Sequence, residues 1–310
     1  MHTPSHWLPW LQGPPREFFG KLFGHVLLIR RIRKSSANTL LVREFLTIPL
    51  LLIAPFLWVY RAKLWFLCHH NLSVAVGRRS HRWALRVLSN TGFRFAVFEN
   101  ILAWRATGAP LVPRNIIAVP APVLTVPAND HPTHLSNRIV IAFVGNYRAE
   151  KSPSWALDAI RHDLGKQIPS EEFQLLVASP NAEFRREWGD RALTIDTSSY
   201  VRYIYALACS DILVLPYDPH AYAYRISGVV TEAVACGCTI VIPDLPVLRE
   251  QILEPEPIGS CYKEPAELVP AVIQAIKLRR HQRFAGALQA HRLHRCPTSL
   301  QTSLRKMLSS

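Results

Sequence analysis

The stretch Tyr217-Asp-Pro-His-Ala-Tyr-Ala-Tyr-Arg-Ile-Ser-Gly-Val-Val-Thr-Glu232-Ala-Val-Ala-Cys-Gly237, with the apolar run Asp211-Ile-Leu-Val-Leu-Pro216 before it, decides the fold. The apolar run has the length of a buried strand. Ser227-Gly228 opens a helical run from Val229 to Cys236, and Gly237 closes it; serine caps helix starts and glycine is favoured just past helix ends. A strand, a loop and a helix start in this order suit a diphosphate. The unpaired N–H groups and the dipole of the helix start attract anions. Gly228 has no Cβ to hold a phosphate away from the backbone. Arg225, just ahead of the helix, brings a guanidinium within reach of the same anion. The alternative is one more strand-loop-helix unit that binds nothing there.

A second unit lies upstream. Arg138-Ile-Val-Ile-Ala-Phe-Val-Gly145-Asn-Tyr-Arg148-Ala-Glu-Lys151-Ser152 reads as strand, glycine turn and basic loop, with a helix beyond it. Phe173 to Ala178, Thr239 to Pro243 and Ile258 to Tyr262 are further short apolar runs, and Ser198 to Cys209 reads as a helix. Strands alternating with helices predict parallel pairing with helices on both sheet faces. Open sheets of this kind bind ligands at the carboxyl ends of their strands, where Arg148 and Lys151 fall. Read otherwise, these two are solvated loop charges.

These two segments resemble the donor-binding signature of group 1 glycosyltransferases with the GT-B fold, many of them retaining, and the resemblance covers residues 138 to 276. That signature has two Glu residues eight positions apart with a Ser-Gly pair between them. Glu232 matches the second, and Tyr224 stands where the first is expected. Gly145 and Lys151 match the upstream pattern; Asn146 replaces its Arg, Arg148 supplies the charge two residues on, and Ser152 replaces its second Gly. The resemblance implies two Rossmann-like domains facing a cleft, and a sugar moved from a nucleotide-diphosphate donor to a glycan or lipid-linked acceptor. It implies that Glu232 holds the ribose, that Tyr224 lies near the donor sugar, and that the Ile195-Asp196 loop passes the base. Arg148 and Lys151 would bind the leaving diphosphate as its charge grows, which lowers the barrier. Tyr224 in place of Glu also admits a non-catalytic nucleotide-sugar-binding or scaffold protein of the same fold.

The chain holds no Asp-x-Asp pair and no zinc-ligand spacing, Cys236-x-Cys238 being too close. The expectation is metal-independent transfer without a cofactor. The six cysteines are scattered and no secretory leader is visible. They read as reduced thiols of a cytoplasmic protein.

Length and composition fit two domains with real cores: 310 residues, 49% hydrophobic. The net charge of +14 is uneven. Residues 1–122 hold 16 Lys or Arg against 3 acids, residues 123–276 hold 12 against 19, and residues 277–310 hold 8 against none. In the basic first part, Phe45 to Tyr60 is a run of 16 uncharged residues interrupted by Pro49 and Pro55. It is compatible with a core helix, a monotopic segment in a membrane interface, or a span. The basic surround favours an anionic membrane face, inside the cell, as partner over a merely solvated surface. Nucleic acid would also take such charge, but no motif for it is present.

Leu64 to Cys68 reads as a strand ending in His69-His70-Asn71, followed by a helix from Ser80 to Leu88 and a strand near Phe95 to Asn100. In the family a strand-end His faces the donor sugar; His70 is the first choice and His69 the second, since neighbouring strand residues point to opposite faces. Otherwise the His is a structural hydrogen-bonding residue. The first part is short of strands for a domain of this family and lacks a Gly-rich first turn. A proline cluster from Pro110 to Pro132 marks the connector, dividing an acceptor-side domain (1–122) from a nucleotide-sugar domain (123–276). A helix to about Leu278 and a basic C-terminal helix or tail (277–310) follow, which by the family pattern returns to the first domain.

Overall fold

The structure, a computed structural model, describes residues 14–68, 70–106, 108, 115–123, 138–146, 148–151 and 154–309. His69, Ser152 and most of the proline-rich connector lie outside these residues. The chain divides into two compact units, Met1–Val119 with Arg305–Ser310, and Pro120–Leu304.

The first unit runs α1 (Pro14–Lys34), β1 (Leu40–Val42), α2 (Thr47–Leu57), β2 (Leu64–Cys68), α3 (Asn71–Gly77), α4 (Arg79–Asn90), β3 (Arg94–Phe98), α5 (Leu102–Ala106) and β4 (Ile116–Val119). Its four strands pair in parallel in the order β1-β2-β3-β4. α1 was not foreseen; Pro14 and Pro15 stand at its first turn, where a missing N–H is harmless. β4 lies within the proline-rich stretch that the sequence marks as the connector. Pro120 follows β4 directly, and β4 is the sheet edge, where an absent ladder donor is tolerated. The Phe45–Tyr60 run becomes one helix with Pro55 near its end, giving way to a 3-10 turn over Trp58–Lys63. Leu50, Ile53, Ala54 and Leu57 enter the core. Among the described residues no helix, this one included, is long and apolar enough to cross a membrane.

The core of this unit is aromatic. Phe66 meets Phe45 edge-on at 5.4 Å and Phe93 at 6.0 Å, and Phe95 lies 5.0 Å from Trp104. Buried Asn71 donates to the Phe45 carbonyl (2.9 Å), and the Leu46 amide donates to His25 Nε2 (3.1 Å). The polar step after β2 therefore anchors the entry to α2.

The second unit runs β5 (Ile139–Val144), α6 (Ser154–Ala159, extended to Leu164 by a wider turn), β6 (Phe173–Ser179), α7 (Ala182–Trp188), β7 (Leu193–Asp196), α8 (Tyr200–Ala208), β8 (Ile212–Val214), α9 (Pro219–Tyr222), α10 (Gly228–Cys236), β9 (Thr239–Pro243), α11 (Pro246–Leu253), β10 (Gly259–Tyr262), α12 (Leu268–Arg280), α13 (Phe284–His294) and the start of α14 (Pro297–Ser309), whose residues from Arg305 on are counted with the first unit. The six strands are parallel in the order β10-β9-β8-β5-β6-β7. Alternation along β5 separates the two cores. Val140, Ala142 and Val144 face α8, α10 and α13, while Ile141 and Phe143 face α6 and α12. The Asp211–Pro216 run proves shorter as a strand, with β8 covering only Ile212–Val214. The basic C-terminal segment, expected as a helix or tail, folds as α13 and α14.

Asp211 sits where the sheet reverses its order. Its carboxylate accepts from the Val140 amide (2.9 Å) and pairs with Arg279 of α12 (2.8 Å), whose other nitrogen donates to the Gly237 carbonyl (2.7 Å). The same residue's backbone bonds to Val140 and Thr239. Removing one partner of a buried pair strands the other. Asp211→Ala is expected to destabilise this unit by about 3–5 kcal/mol, read as a lowered urea midpoint.

Candidate functional site

The chain leaves β5 toward β6 on one side of the sheet and leaves β8 toward β9 on the other. β5 and β8 are neighbours, so the loops after them diverge and leave a crevice at their carboxyl ends. These loops are 145–153 and 215–227, the two segments the sequence singles out. Gly145 ends β5 with φ 133°, a conformation that favours glycine. The Asp218 amide donates to the Glu150 carbonyl (2.9 Å) and joins the loops.

Tyr217 organises their meeting. Its ring is buried and stacks face to face on Tyr222, with centroids 3.9 Å apart and 5° between planes. Lys151 Nζ lies over it, 5.5 Å from the ring centre, and stands 4.0 Å from where a Cβ on Gly145 would be. The Tyr217 hydroxyl shares a 2.7 Å hydrogen bond with Ser227 Oγ. Ser227 is the N-cap of α10 and accepts from the Val230 amide (3.4 Å). Gln251 of α11 fixes the cap from behind: it accepts from the Ser227 amide (2.9 Å) and donates to the Ser227 carbonyl (3.3 Å). Gly228 is exposed, and the space a Cβ would take there is open. At the far end, Gly237 takes the left-handed conformation (φ 88°), and Arg292 donates to the carbonyls of Val234 and Ala235.

Glu232, one turn into α10, accepts from the Tyr203 hydroxyl of α8 (2.5 Å). Burial pushes its carboxyl above the usual range, while Tyr203 and the Lys151 charge oppose that shift. The Tyr203 phenol is itself raised, first by burial and then by Glu232. Burial holds the Lys151 ammonium below its ordinary value; Arg148 adds to this, and Glu150 and Glu232 counter it. A half-buried cation beside a second cation is short of negative charge, the condition under which an anionic ligand is welcome.

Gly145, Arg148, Lys151, Arg225, Ser227, Gly228 and Glu232 therefore all fall in the two switch-point loops and the first turns of α10. Arg148 is exposed, 4.0 Å from Glu150, and the Arg225 amide donates to Tyr222. Tyr224 is half-buried in the turn between α9 and α10. His70 belongs to the other unit, exposed at the N-cap of α3. The Ile195-Asp196 pair forms the carboxyl end of β7, where Asp196 pairs with Arg185 (3.1 Å) and Arg202 (3.5 Å). Sequence reading missed Tyr203, Tyr217 and Gln251 as site residues. Tyr217 heads the deciding stretch and was within reach; Tyr203 and Gln251 carry no local signal.

The second unit is thus a doubly wound Rossmann-like domain with cationic loops and a capped helix start at its switch point. Residues 138–277, within this unit, match the family described as Glycosyl transferases group 1. No curated protein matches the chain in sequence. Among solved structures, Anabaena HepE in complex with UDP-glucose is similar, with TM-score 0.62 and 14% identity over 92% of this chain and 81% of that one. An alpha,alpha-trehalose-phosphate synthase (UDP-forming) from Burkholderia vietnamiensis gives TM-score 0.66 and 12% identity over 99% of this chain and 82% of that one. With a parallel sheet in each unit, the chain has the two Rossmann-like domains of the GT-B fold.

The sign of the Lys151 shift gives a prediction. Between its lowered folded value and the ordinary lysine value the unfolded chain holds more protons, so stability rises with pH there. Lys151→Met should flatten that rise, seen in urea midpoints across the alkaline range, and should unfold no earlier than wild type at neutral pH without ligand. Tyr203→Phe removes a bond that holds the Glu232 pKa down; a carboxyl NMR titration should find Glu232 higher in that variant.

Proposed function

We propose that the protein transfers a sugar from a nucleotide-diphosphate donor to a glycan or lipid-linked acceptor. The carrying observation is the meeting of Lys151 with the Ser227-Gly228 helix start across the Tyr217 ring, at the switch point of the unit that matches the group 1 family. In this reading Lys151, Arg148 and Arg225 hold the diphosphate together with backbone N–H groups at the α10 start. They bind it more strongly as it leaves with its full charge, which is where catalysis gains. Glu232, with one oxygen held by Tyr203, accepts from the ribose hydroxyls through the other. His70 positions the donor sugar. The diphosphate charge is met by side chains and a helix end, so the step proceeds without a metal ion. The family pattern extends the reading to retention of configuration. HepE was solved with UDP-glucose, which makes UDP-sugars the first donors to try. Six free thiols accord with a cytoplasmic location.

Tyr224 favours a second reading, a protein that binds the donor without transferring it. A thermal-shift screen with UDP, GDP, ADP and their sugar conjugates, with and without EDTA, separates these outcomes. One nucleotide series should raise the midpoint whether or not EDTA is present; ligand at a hundred times Kd adds about 2.7 kcal/mol. Lys151→Ala should abolish that shift. Donor hydrolysis by wild type, lost in Lys151→Ala, supports the enzyme. A shift without any turnover supports the binder, and no shift with any nucleotide sinks both.

A further inference from the structure

Among the described residues, the first unit carries an exposed apolar row. While α2 turns Leu50, Ile53, Ala54 and Leu57 inward, Leu52 and Phe56, one helical turn apart, are 54% and 68% exposed. The 3-10 turn extends the row with Val59 at 76% and sets Trp58 beside it at 41%. The Arg61 guanidinium lies 4.1 Å from the centre of the Trp58 ring. On α1, which packs against α2, Phe23, Val26 and Leu27 are exposed at helical spacing, and the exposed cations Arg31, Arg33 and Lys34 follow in its last turn. Single exposed apolar residues are ordinary, but rows of them on two packed helices mark a docking surface.

Charge decides the occupant. Residues 23–106 hold thirteen Lys or Arg and two acids, Glu44 and Glu99. A second copy would bring the same excess, and like charge opposes such pairing. Nucleic acid would meet the charge but leave Phe56 and Val59 in water. A surface that is anionic outside and apolar just beneath satisfies both demands. We propose that this face docks onto an anionic lipid bilayer. Leu52, Phe56 and Val59 enter the acyl boundary, Trp58 sits at headgroup level, and the flanking cations meet lipid phosphates. The inference names a partner for the proposed transferase but does not rest on its chemistry.

Flotation of the full chain with vesicles tests it. Binding is expected to vesicles of phosphatidylcholine mixed with phosphatidylglycerol, to weaken with salt, and to fall away with phosphatidylcholine alone. F56S combined with V59S should lower partitioning by about tenfold or more, with the thermal midpoint kept. R31Q with R33Q should weaken binding to the mixed vesicles and reduce its salt dependence. The proposal is overturned if wild type does not float with the mixed vesicles, or if the F56S/V59S variant floats as wild type does. It is also overturned if sedimentation shows a dimer that this variant dissolves. Vesicle binding without any nucleotide shift would sink the transferase reading alone, and the reverse would sink this one alone.

Discussion

Asp211 is the constraint on which the second unit depends. A parallel sheet that reverses its winding must join two strands far apart in sequence, and nothing local to either holds them in register. Here one carboxylate does so, accepting from Val140 on β5 while Arg279 of α12 balances its charge. The charge is buried, so the pair is all or nothing: intact it sets the register, and with one partner missing it opposes folding. The crevice outside β5 and β8 follows from that junction, because those are the two strands it joins.

The site is then built from supports that never touch a ligand in the proposed scheme. Gln251 secures the backbone of Ser227, Ser227 secures Val230, and Tyr217 links that helix start to Lys151 through one buried ring. Each support is a neutral hydrogen bond or an aromatic contact. The half-buried cation is therefore left with unsatisfied field, opposed by Glu150 and Glu232 but not fully neutralised. A site that is rigid in its dipoles and short of anions is preorganised for one.

Much of this was legible in the chain. The Ser227 cap, the Gly237 stop and the strand over residues 139–144 followed from local rules that depend on neighbours in sequence. Charge counting was less informative, because it gives no direction. The eight cations after residue 276 looked like a surface feature, yet Arg279, Arg292 and Arg295 turn inward and bond to the carbonyls of Gly237, Val234, Ala235 and Glu250. The prolines between Gly108 and Arg138 read as a connector, since proline cannot continue a central strand; an edge strand needs bonds on one side only, and β4 lies within that stretch. Tyr203 and Gln251 escaped because their roles come from helices that meet their targets only after packing. The Tyr203–Glu232 bond spans 29 positions and the Gln251–Ser227 bond spans 24.

The Asp211 junction also bears on when this unit can exist. Its partners lie 71 residues before it, at Val140, and on α12, near the end of the sheet-forming chain. A nascent chain that has emerged only through β9 holds the carboxylate without its guanidinium, an arrangement that favours the unfolded state. Contacts of such long separation carry loop-closure entropy before they return any stability, and they slow folding. The unit is thus disposed to fold late and as a whole, so that the cation-lined crevice appears only once α12, whose Arg279 balances Asp211, has been made.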